Sequence, residues 1–238
     1  MMRKQPLTEK WRPKVMEDLI GQLAIIRLLI NWLINGANTN LLLVGPTGCG
    51  KTSVAYILAR ELNKQLKGMG SLPQLFTSHY IEDGWKDIIV ELSGSRITRY
   101  VIDNDLTKYL QSSFKHVIFI DEADALNASD QESLRKLMEG VHNAVFILAT
   151  NLEDKIQKAI KSRCVVITFK PIPIPLVAKK LRDISIAEGF CTKEPTPAEN
   201  RFLLRLAQRS GGDLRVINQL ELYVKNGRFD PEMINDEC

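Results

Sequence analysis

The sequence contains no apolar run long enough to cross a lipid bilayer and no closely spaced pair of cysteines. A membrane-spanning helix needs about 20 consecutive apolar residues, so this lack argues against an integral membrane protein. The basic first residues are followed by no apolar stretch, and we therefore expect no secretory signal. The four cysteines, Cys49, Cys164, Cys191 and Cys238, form no Cys-x-x-Cys pair. Their spacing argues against a zinc site and favours reduced thiols in an intracellular protein.

The chain also lacks a strong charge of either sign. Its 32 Lys and Arg residues against 28 Asp and Glu residues give a formal net charge of +4. Such a mildly basic balance is compatible with nucleic acid but is too weak to indicate it alone. With 238 residues, 45% of them hydrophobic, the chain is long enough for one large or two small domains with a sizeable core.

What the chain does contain is a phosphate-binding motif. Residues 45–52 read Gly-Pro-Thr-Gly-Cys-Gly-Lys-Thr, between an apolar strand pattern at 41–44 and a helical pattern at 52–62. A strand, a glycine-rich loop and a helix start are the context of a P-loop, in which backbone N–H groups and the helix dipole bind phosphate. Lys51 is expected to reach the β and γ phosphates, and Thr52 to ligate magnesium. The predicted nucleotide contacts are Gly45, Pro46, Thr47, Gly48, Cys49, Gly50, Lys51, Thr52 and Ser53.

Buried apolar strands alternate with helical patterns along the first 170 residues. This alternation predicts an α/β fold with a mainly parallel five-stranded sheet and helices on both faces. The predicted strands are 41–44, 88–92, 117–120, 144–149 and 165–169, and the predicted helices are 23–33, 52–62, 103–111, 129–139 and 152–160. The irregular segment 64–86 either contacts a partner or is a tolerated surface insertion, and we favour the insertion.

The pattern changes after residue 170. A Pro-Ile-Pro-Ile-Pro stretch indicates a linker, and strand patterns stop there. Helical patterns follow at 176–188, 197–209 and 214–224, which predicts a small all-α lid domain of three helices. The predicted organisation is a P-loop domain over 1–170, a helical lid over 171–228, and a tail over 229–238 whose acidic end is expected to fray.

Two carboxylates follow the third predicted strand. Asp121 and Glu122 end the apolar run Val-Ile-Phe-Ile, and ligands of open α/β sheets bind beyond the carboxyl ends of the strands. Asp121 is therefore expected to hold magnesium through its water shell, and Glu122 to orient or deprotonate the attacking water. The letters Asp-Glu-Ala-Asp at 121–124 suggest a helicase, but the flanking sequence fits another class better.

Three further polar residues are ambiguous from their positions alone. Asn151 ends the fourth predicted strand and suits either a bond to the γ phosphate or a helix cap. Arg163 precedes the fifth strand, and Arg215 opens the last helical pattern. A lone arginine at position 163 is more often an ordinary surface charge, and Arg215 is also compatible with one.

Together and in this order, the motifs resemble those of the AAA+ ATPases of the DNA clamp-loader family, and most closely the replication factor C small subunits with their archaeal and phage counterparts. The most discriminating segments are Gln-Glu-Ser-Leu-Arg-Lys-Leu-Met-Glu at 131–139 and Ser-Arg-Cys at 162–164. The others are Glu-Lys-Trp-Arg-Pro-Lys (9–14), Leu-Ile-Gly-Gln (19–22), the P-loop, Val-Glu-Leu-Ser-Gly-Ser (90–95), Ile-Asp-Glu-Ala-Asp-Ala-Leu (120–126), Ala-Thr-Asn (149–151) and Gly-Asp-Leu-Arg (212–215).

The resemblance implies an AAA+ fold with ATP and Mg²⁺ as cofactors, and it assigns roles that spacing leaves open. Arg163 takes the place of an arginine finger, which enters the ATP site of the neighbouring subunit. Asn151 takes the place of the family's sensor 1, and Arg215 takes that of its sensor 2, a nucleotide contact that ties the helical lid to the γ phosphate. With Glu122 and Lys51, these residues make up the implied catalytic set.

Two further sets of residues follow from the resemblance alone. Trp11, Arg12 and Pro13 match the segment near the adenine base, where the family more often has Tyr than Trp. The family contacts DNA through helices that follow the second and third strands, and such backbone contacts position a duplex without reading its sequence. A solvated helix face is equally compatible with each basic residue there. The matching residues are Ser95, Arg96, Arg99, Arg135 and Lys136.

The implied partners are a ring-shaped sliding clamp, primer–template DNA and the other subunits of a pentameric loader. The loader is either homomeric or heteromeric, and no membrane partner is implied. The implied activity is ATP hydrolysis that opens the clamp and loads it during DNA replication inside the cell. The family also has a C-terminal helical collar that holds the pentamer together. After the lid pattern we expect no counterpart of this collar, either because it was removed or because the chain is a natural collarless version.

Two other functions remain open. One is a different AAA+ DNA motor, such as a Holliday-junction branch-migration motor, which also begins with Arg-Pro and Ile-Gly-Gln segments; the Ser-Arg-Cys triplet argues against it. The other is a nucleotide-binding assembly module with little turnover. The intact Lys51, Thr52, Asp121 and Glu122 argue against such an inactive site.

Overall fold

The computed structural model describes residues 5–66, 89–106, 110, 116–141 and 143–236. Most of the predicted insertion at 64–86 and most of the second half of the predicted helix at 103–111 lie outside these residues.

The chain divides into two compact units. The sheet unit comprises Ala24–Gly45 and Lys51–Phe169, and the helical unit comprises Met1–Leu23, Pro46–Gly50 and Lys170–Cys238. The N-terminal residues and the tip of the P-loop therefore group with the C-terminal helices. The division into domains at 170 and 228 stays a prediction.

The sheet unit is built on five strands in the order β2-β3-β4-β1-β5. All four pairings are parallel, and Leu41 of the interior strand β1 lies beside Ile147 of β4 and Val165 of β5. Four residues of β1 are buried, as expected for a strand between two neighbours in a covered parallel sheet. The predicted α/β class with a five-stranded sheet is thereby confirmed. The strands are β1 (Asn40–Val44), β2 (Ile89–Ser93), β3 (His116–Asp121), β4 (Ala144–Thr150) and β5 (Cys164–Thr168).

Helices of the sheet unit pack apolar side chains against these strands. Leu134 of α4 is fully buried in one core cluster with Leu42, Ile118 and Phe146 of the strands. The side chain of Asn127 caps α4 by accepting a hydrogen bond from the backbone N–H of Asp130 at 2.9 Å. The helices are α2 (Leu23–Ile34), α3 (Lys51–Leu66), α4 (Ala128–Gly140) and α5 (Lys158–Lys161).

The helical unit has its own apolar core, in which Leu7, Leu181, Phe202, Leu206 and Leu220 are almost completely buried. A capping box at Thr196 and a left-handed glycine at 211 mark the two ends of its helix α7. Its elements are α1 (Leu7–Lys10), α6 (Ile174–Ala187), α7 (Pro197–Ser210), a 3₁₀ helix (Leu214–Tyr223), β6 (Val224–Lys225), β7 (Arg228–Phe229) and α8 (Pro231–Asp236).

The predicted helix at 152–160 is wrong, because this segment is a 3₁₀ turn at Glu153–Lys155 followed by the short α5. The cause is the side chain of Gln131, which is 3% exposed. Its amide group donates to the carbonyls of Lys155 at 3.0 Å and Leu126 at 3.1 Å, and its oxygen accepts from the N–H of Gln157 at 2.8 Å. The Gln131 amide thus binds the Lys155 carbonyl and the Gln157 N–H, which a continuous helix would pair with its own backbone.

Replacing Gln131 with alanine should destabilise the fold. The substitution leaves two carbonyls and one N–H without their partner, which costs roughly 2–4 kcal/mol in the free energy of unfolding. Gln157→Ala is the matched control, because that amide makes one exposed bond, to the carbonyl of Ala128. Urea denaturation of the two variants measures the difference. Equal midpoints would show that the Gln131 bonds contribute nothing net.

Three other elements differ from the sequence-based expectation. The pattern at 214–224 forms a 3₁₀ helix rather than an α-helix, and Val101–Leu106 forms a π-helical turn. The C-terminal unit is not free of strands, since β6 and β7 form a hairpin around Asn226 and Gly227, both with positive φ. The expected fraying of the tail is also wrong over Pro231–Asp236, which is helical and has Ile234 buried.

Among the helices that are described between residues 5 and 236, none has the length and apolar character that crossing a bilayer requires.

Candidate functional site

Lys51 opens α3 directly after the glycine-rich loop, and the residue is only 8% exposed. Its Nζ donates to the carbonyl of Gly45 at 2.8 Å and to Oδ1 of Asn151 at 2.9 Å. Both of these acceptors are neutral groups, and they orient the ammonium group. Such a cation at a helix N-terminus suits an anionic phosphate.

Thr52 and Asp121 meet at the carboxyl end of β3. The Thr52 hydroxyl donates to Oδ2 of Asp121 at 2.9 Å. A hydroxyl and a carboxylate side by side supply the oxygen ligands that Mg²⁺ takes in phosphate sites, where it keeps several waters. These oxygen ligands fit the implied ion, and the two hydrogen-bonded pairs, Lys51 with Asn151 and Thr52 with Asp121, both lie within the sheet unit.

Glu122 has an unusual backbone conformation, with φ 53° and ψ 43°. A left-handed non-glycine residue is uncommon and is found preferentially at functional sites. Its N–H donates to Oδ1 of Asp121, and its carboxylate accepts from the hydroxyl of Ser93 at 3.4 Å. Gly94 packs so closely that a Cβ there would lie 2.2 Å from the Glu122 carbonyl oxygen. The fold therefore fixes the exposed Glu122 at the strand end.

Asp124, the last letter of Asp-Glu-Ala-Asp, holds the end of β4. Its Oδ1 accepts from the hydroxyl of Thr150 at 2.7 Å and from the N–H of Asn151 at 3.4 Å. This contact aligns the strand end that carries Asn151. Sequence reasoning assigned no function to Asp124 or to Ser93, although both lie within the matched motifs.

Arg163 does not join the group around Lys51. Its Nη2 pairs with Glu139 at the end of α4, and its Nη1 donates to the carbonyl of Ala159 at 2.5 Å. Glu139 also pairs with Arg135 at 2.6 Å. Although desolvation opposes it, the two guanidinium groups lower the pKa of Glu139 below its ordinary value, so this carboxylate is ionised at neutral pH.

Arg215 lies in the helical unit, where its guanidinium binds Asp213 at 3.0 Å and is mostly exposed. Asp213 in turn contacts Thr47 and Gly48 of the P-loop. Other loop residues differ in exposure: Cys49 is buried, Ser53 and Gly50 are half-buried, and Pro46 is exposed. Sequence reasoning did not select Asp213, although a short polar residue before a helical pattern is an N-cap signal.

The N-terminal segment is fixed within the helical unit by charged side chains. The indole N–H of Trp11 donates to Glu188 at 2.7 Å, and the Lys180 ammonium lies 6.0 Å from the ring centroid. Arg12 pairs with Glu9, and Pro13 follows it in the chain. The predicted adenine contacts are therefore ordered by protein contacts, and their role stays a prediction.

The residues expected to contact DNA mostly have carboxylate partners. Arg135 pairs with Glu132 and Glu139, and hydrogen bonds to these carboxylates raise its pKa further above the ordinary value. The other candidates are Ser95, bonded to Ser93 at 2.8 Å, the exposed Arg96, Arg99, paired with Asp103 at 3.2 Å, and Lys136, 4.0 Å from Glu132. Phosphate groups would have to compete with these carboxylates.

Two thiols should react slowly with alkylating reagents. Burial raises the pKa of Cys164 to about 12, and burial with the nearby Glu199 raises that of Cys191 to about 11. At pH 8 the thiolate fractions are then about 10⁻⁴ and 10⁻³, against about a quarter for an ordinary thiol. Iodoacetamide labelling followed by peptide mass spectrometry should be over ~100-fold slower in the folded protein than in urea. Equal rates in the two states would contradict these pKa values.

Comparison with known proteins adds three findings. The model of the ATPase family associated with various cellular activities (AAA) matches residues 41–172. The replication factor C small subunit of Picrophilus torridus is 34% identical over 236 residues, covering 95% of this chain and 66% of the relative. That of Archaeoglobus fulgidus is 32% identical over 222 residues, covering 90% of this chain and 62% of the relative. The chain thus spans slightly less than two thirds of these relatives.

Solved structures show the same fold. The RuvB Holliday junction branch migration motor of Thermotoga maritima superimposes with a TM-score of 0.70 at 19% identity, over 95% of this chain and 72% of that one. At this identity the likeness concerns the fold alone.

Proposed function

Because the chain belongs to the AAA family of ATPases, we propose that it is the ATPase subunit of a sliding-clamp loader. In this role it uses ATP binding and hydrolysis to open a ring-shaped clamp and to place it on primer–template DNA during replication. The observation that carries the proposal is the 34% identity to a replication factor C small subunit across 95% of the chain. The proposed location is the replication machinery inside the cell.

The contacts within the sheet unit support an ATP–Mg²⁺ site. Lys51 binds the β and γ phosphates, and its orientation comes from Gly45 and Asn151. Thr52 would ligate a magnesium ion and Asp121 would hold it through its water shell, and the ion would neutralise phosphate charge. Glu122 orients or deprotonates the attacking water from its fixed position at the end of β3.

The proposed assembly is a loader in which Arg163 of one subunit completes the ATP site of the next. An arginine supplied in trans stabilises charge on the transferring phosphoryl group. The arginine also makes hydrolysis depend on how the subunits are arranged. ATP binding favours a spiral arrangement of subunits that binds clamp and DNA, and hydrolysis releases both. The proposed DNA contacts are Ser95, Arg96, Arg99, Arg135 and Lys136.

The test is an ATPase assay with the assembled partner subunits, a sliding clamp and primed DNA. Clamp and DNA together should raise turnover well above either alone. Turnover that never responds to both, with every partner subunit present, would refute clamp loading. Migration of a four-way junction would instead support a branch-migration motor, and tight ATP binding without turnover would support an assembly module.

A further inference from the structure

Asp213 connects the P-loop to Arg215 within the helical unit. One carboxylate oxygen, Oδ2, accepts from the hydroxyl of Thr47 at 3.2 Å and from Nη2 of Arg215 at 3.0 Å. The other oxygen, Oδ1, accepts from the backbone N–H of Arg215 at 2.8 Å and caps the 3₁₀ helix. The N–H of Leu214 donates to the carbonyl of Gly48 at 3.1 Å. One short segment is therefore bonded to two successive residues of the loop.

The fit at Gly48 shows how closely the carboxylate approaches the loop. A Cβ at position 48 would lie 1.7 Å from Oδ1 of Asp213 and 3.0 Å from the nitrogen of Leu214. Gly48 also has φ +64°, which side chains rarely adopt. Glycine at this position therefore serves the contact with Asp213 as well as the turn of the loop.

A carboxylate beside a phosphate-binding loop would repel the ligand unless its charge were neutralised. Although desolvation opposes it, the bonds from Arg215 and Thr47 lower the pKa of Asp213, so it is ionised at neutral pH. Arg215 places its positive charge directly against this carboxylate. The pair has no net charge, and a bond to the carboxylate restricts the many rotamers of the arginine.

We propose that Asp213 is a positioning residue, which fixes Arg215 against residues 46–50 so that the guanidinium meets the terminal phosphate of a bound nucleoside triphosphate. A carboxylate that orients a ligand-binding side chain acts as the outer partners of metal-binding histidines do. The inference rests on nucleotide binding by the loop, and it does not require clamp loading. ADP lacks the γ phosphate, so Arg215 contributes little to ADP binding. Loss of the Asp213 carboxylate should therefore lower the affinity for ATP more than the affinity for ADP.

The test measures binding of Mg–ATP and Mg–ADP to the full chain by calorimetry. Asp213→Asn keeps the size and the capping oxygen but removes the charge, and it should weaken ATP binding about tenfold while changing ADP binding less than about twofold. Asp213→Ser, which also retains a capping hydroxyl, should repeat the result. Asp230→Asn is the matched control, since Asp230 caps α8 and pairs with Lys225 without touching the loop.

A double-mutant cycle separates positioning from a purely structural role. In an Arg215→Gln background, Asp213→Asn should cause no further loss of ATP affinity, because the group to be positioned is already gone. Additive losses, equal losses for ATP and ADP, or tighter ATP binding by Asp213→Asn would each overturn the inference. If discrimination changes as expected but clamp and DNA never stimulate turnover, the inference stands and the clamp-loader proposal fails.

Discussion

Replacing Lys51 with alanine should abolish tight ATP binding and, with it, hydrolysis. The ammonium group is nearly buried and is oriented by the Gly45 carbonyl and the Asn151 amide. Two hydrogen bonds from this cation to phosphate oxygens are worth about 3–6 kcal/mol in total. Their loss corresponds to roughly 10²–10⁴-fold weaker binding.

Calorimetric titration with Mg–ATP measures the effect, and thermal denaturation shows whether the variant remains folded. Lys158→Ala is the control, because it removes the same charge from an exposed position of the sheet unit. ATP binding by Lys51→Ala within a few-fold of the original protein would refute the proposed phosphate contact.

Replacing Arg163 with alanine should leave ATP binding unchanged, unlike Lys51→Ala, but turnover in the assembled complex should fall by roughly 10³–10⁵-fold. In the single chain the guanidinium pairs with Glu139 and bonds Ala159, so it is oriented without touching the Lys51 group of its own chain. Arg228→Ala, which removes an exposed arginine from the β6–β7 hairpin, should leave turnover unchanged.

Mixing variants tests whether Arg163 acts in trans. In a homo-oligomer, Lys51→Ala and Arg163→Ala subunits are each inactive alone. When mixed, an Arg163→Ala subunit that lies beside a Lys51→Ala subunit receives an intact arginine, and part of the turnover should return. Full turnover by Arg163→Ala alone, or no recovery in mixtures that do assemble, would refute the finger assignment.

Local patterns in the sequence predicted much of the fold and the centre of the candidate site. The five strands are apolar runs, and parallel strands bring Asp121 and Asn151 to the same edge of the sheet. The P-loop is a contiguous motif with a required context, so Lys51 and Thr52 follow directly. The hairpin at Asn226 and Gly227 was not predicted, although the Asn-Gly pair favours a two-residue turn and could have indicated it.

Contacts between distant residues could not be predicted. Periodicity favours a helix at 152–160, because no local pattern shows that Gln131 binds the backbone of that segment. The pairing of Arg135 with Glu139 follows from i,i+4 spacing, but the additional pairing of Glu139 with Arg163 depends on the folded sheet unit. Asp213 reaches Thr47 across 166 positions of chain.

The amide of Gln131 also has a consequence for the order of events in refolding. The N–H of Gln157 is held by a side chain 26 positions earlier, rather than by its own helical neighbours. Its protection from solvent deuterium should therefore arise together with that of α4, and not before it, in a pulse-labelling experiment. The Gln131 side chain then makes α4 and the segment around Gln157 form together, although their local sequences would allow each to form independently.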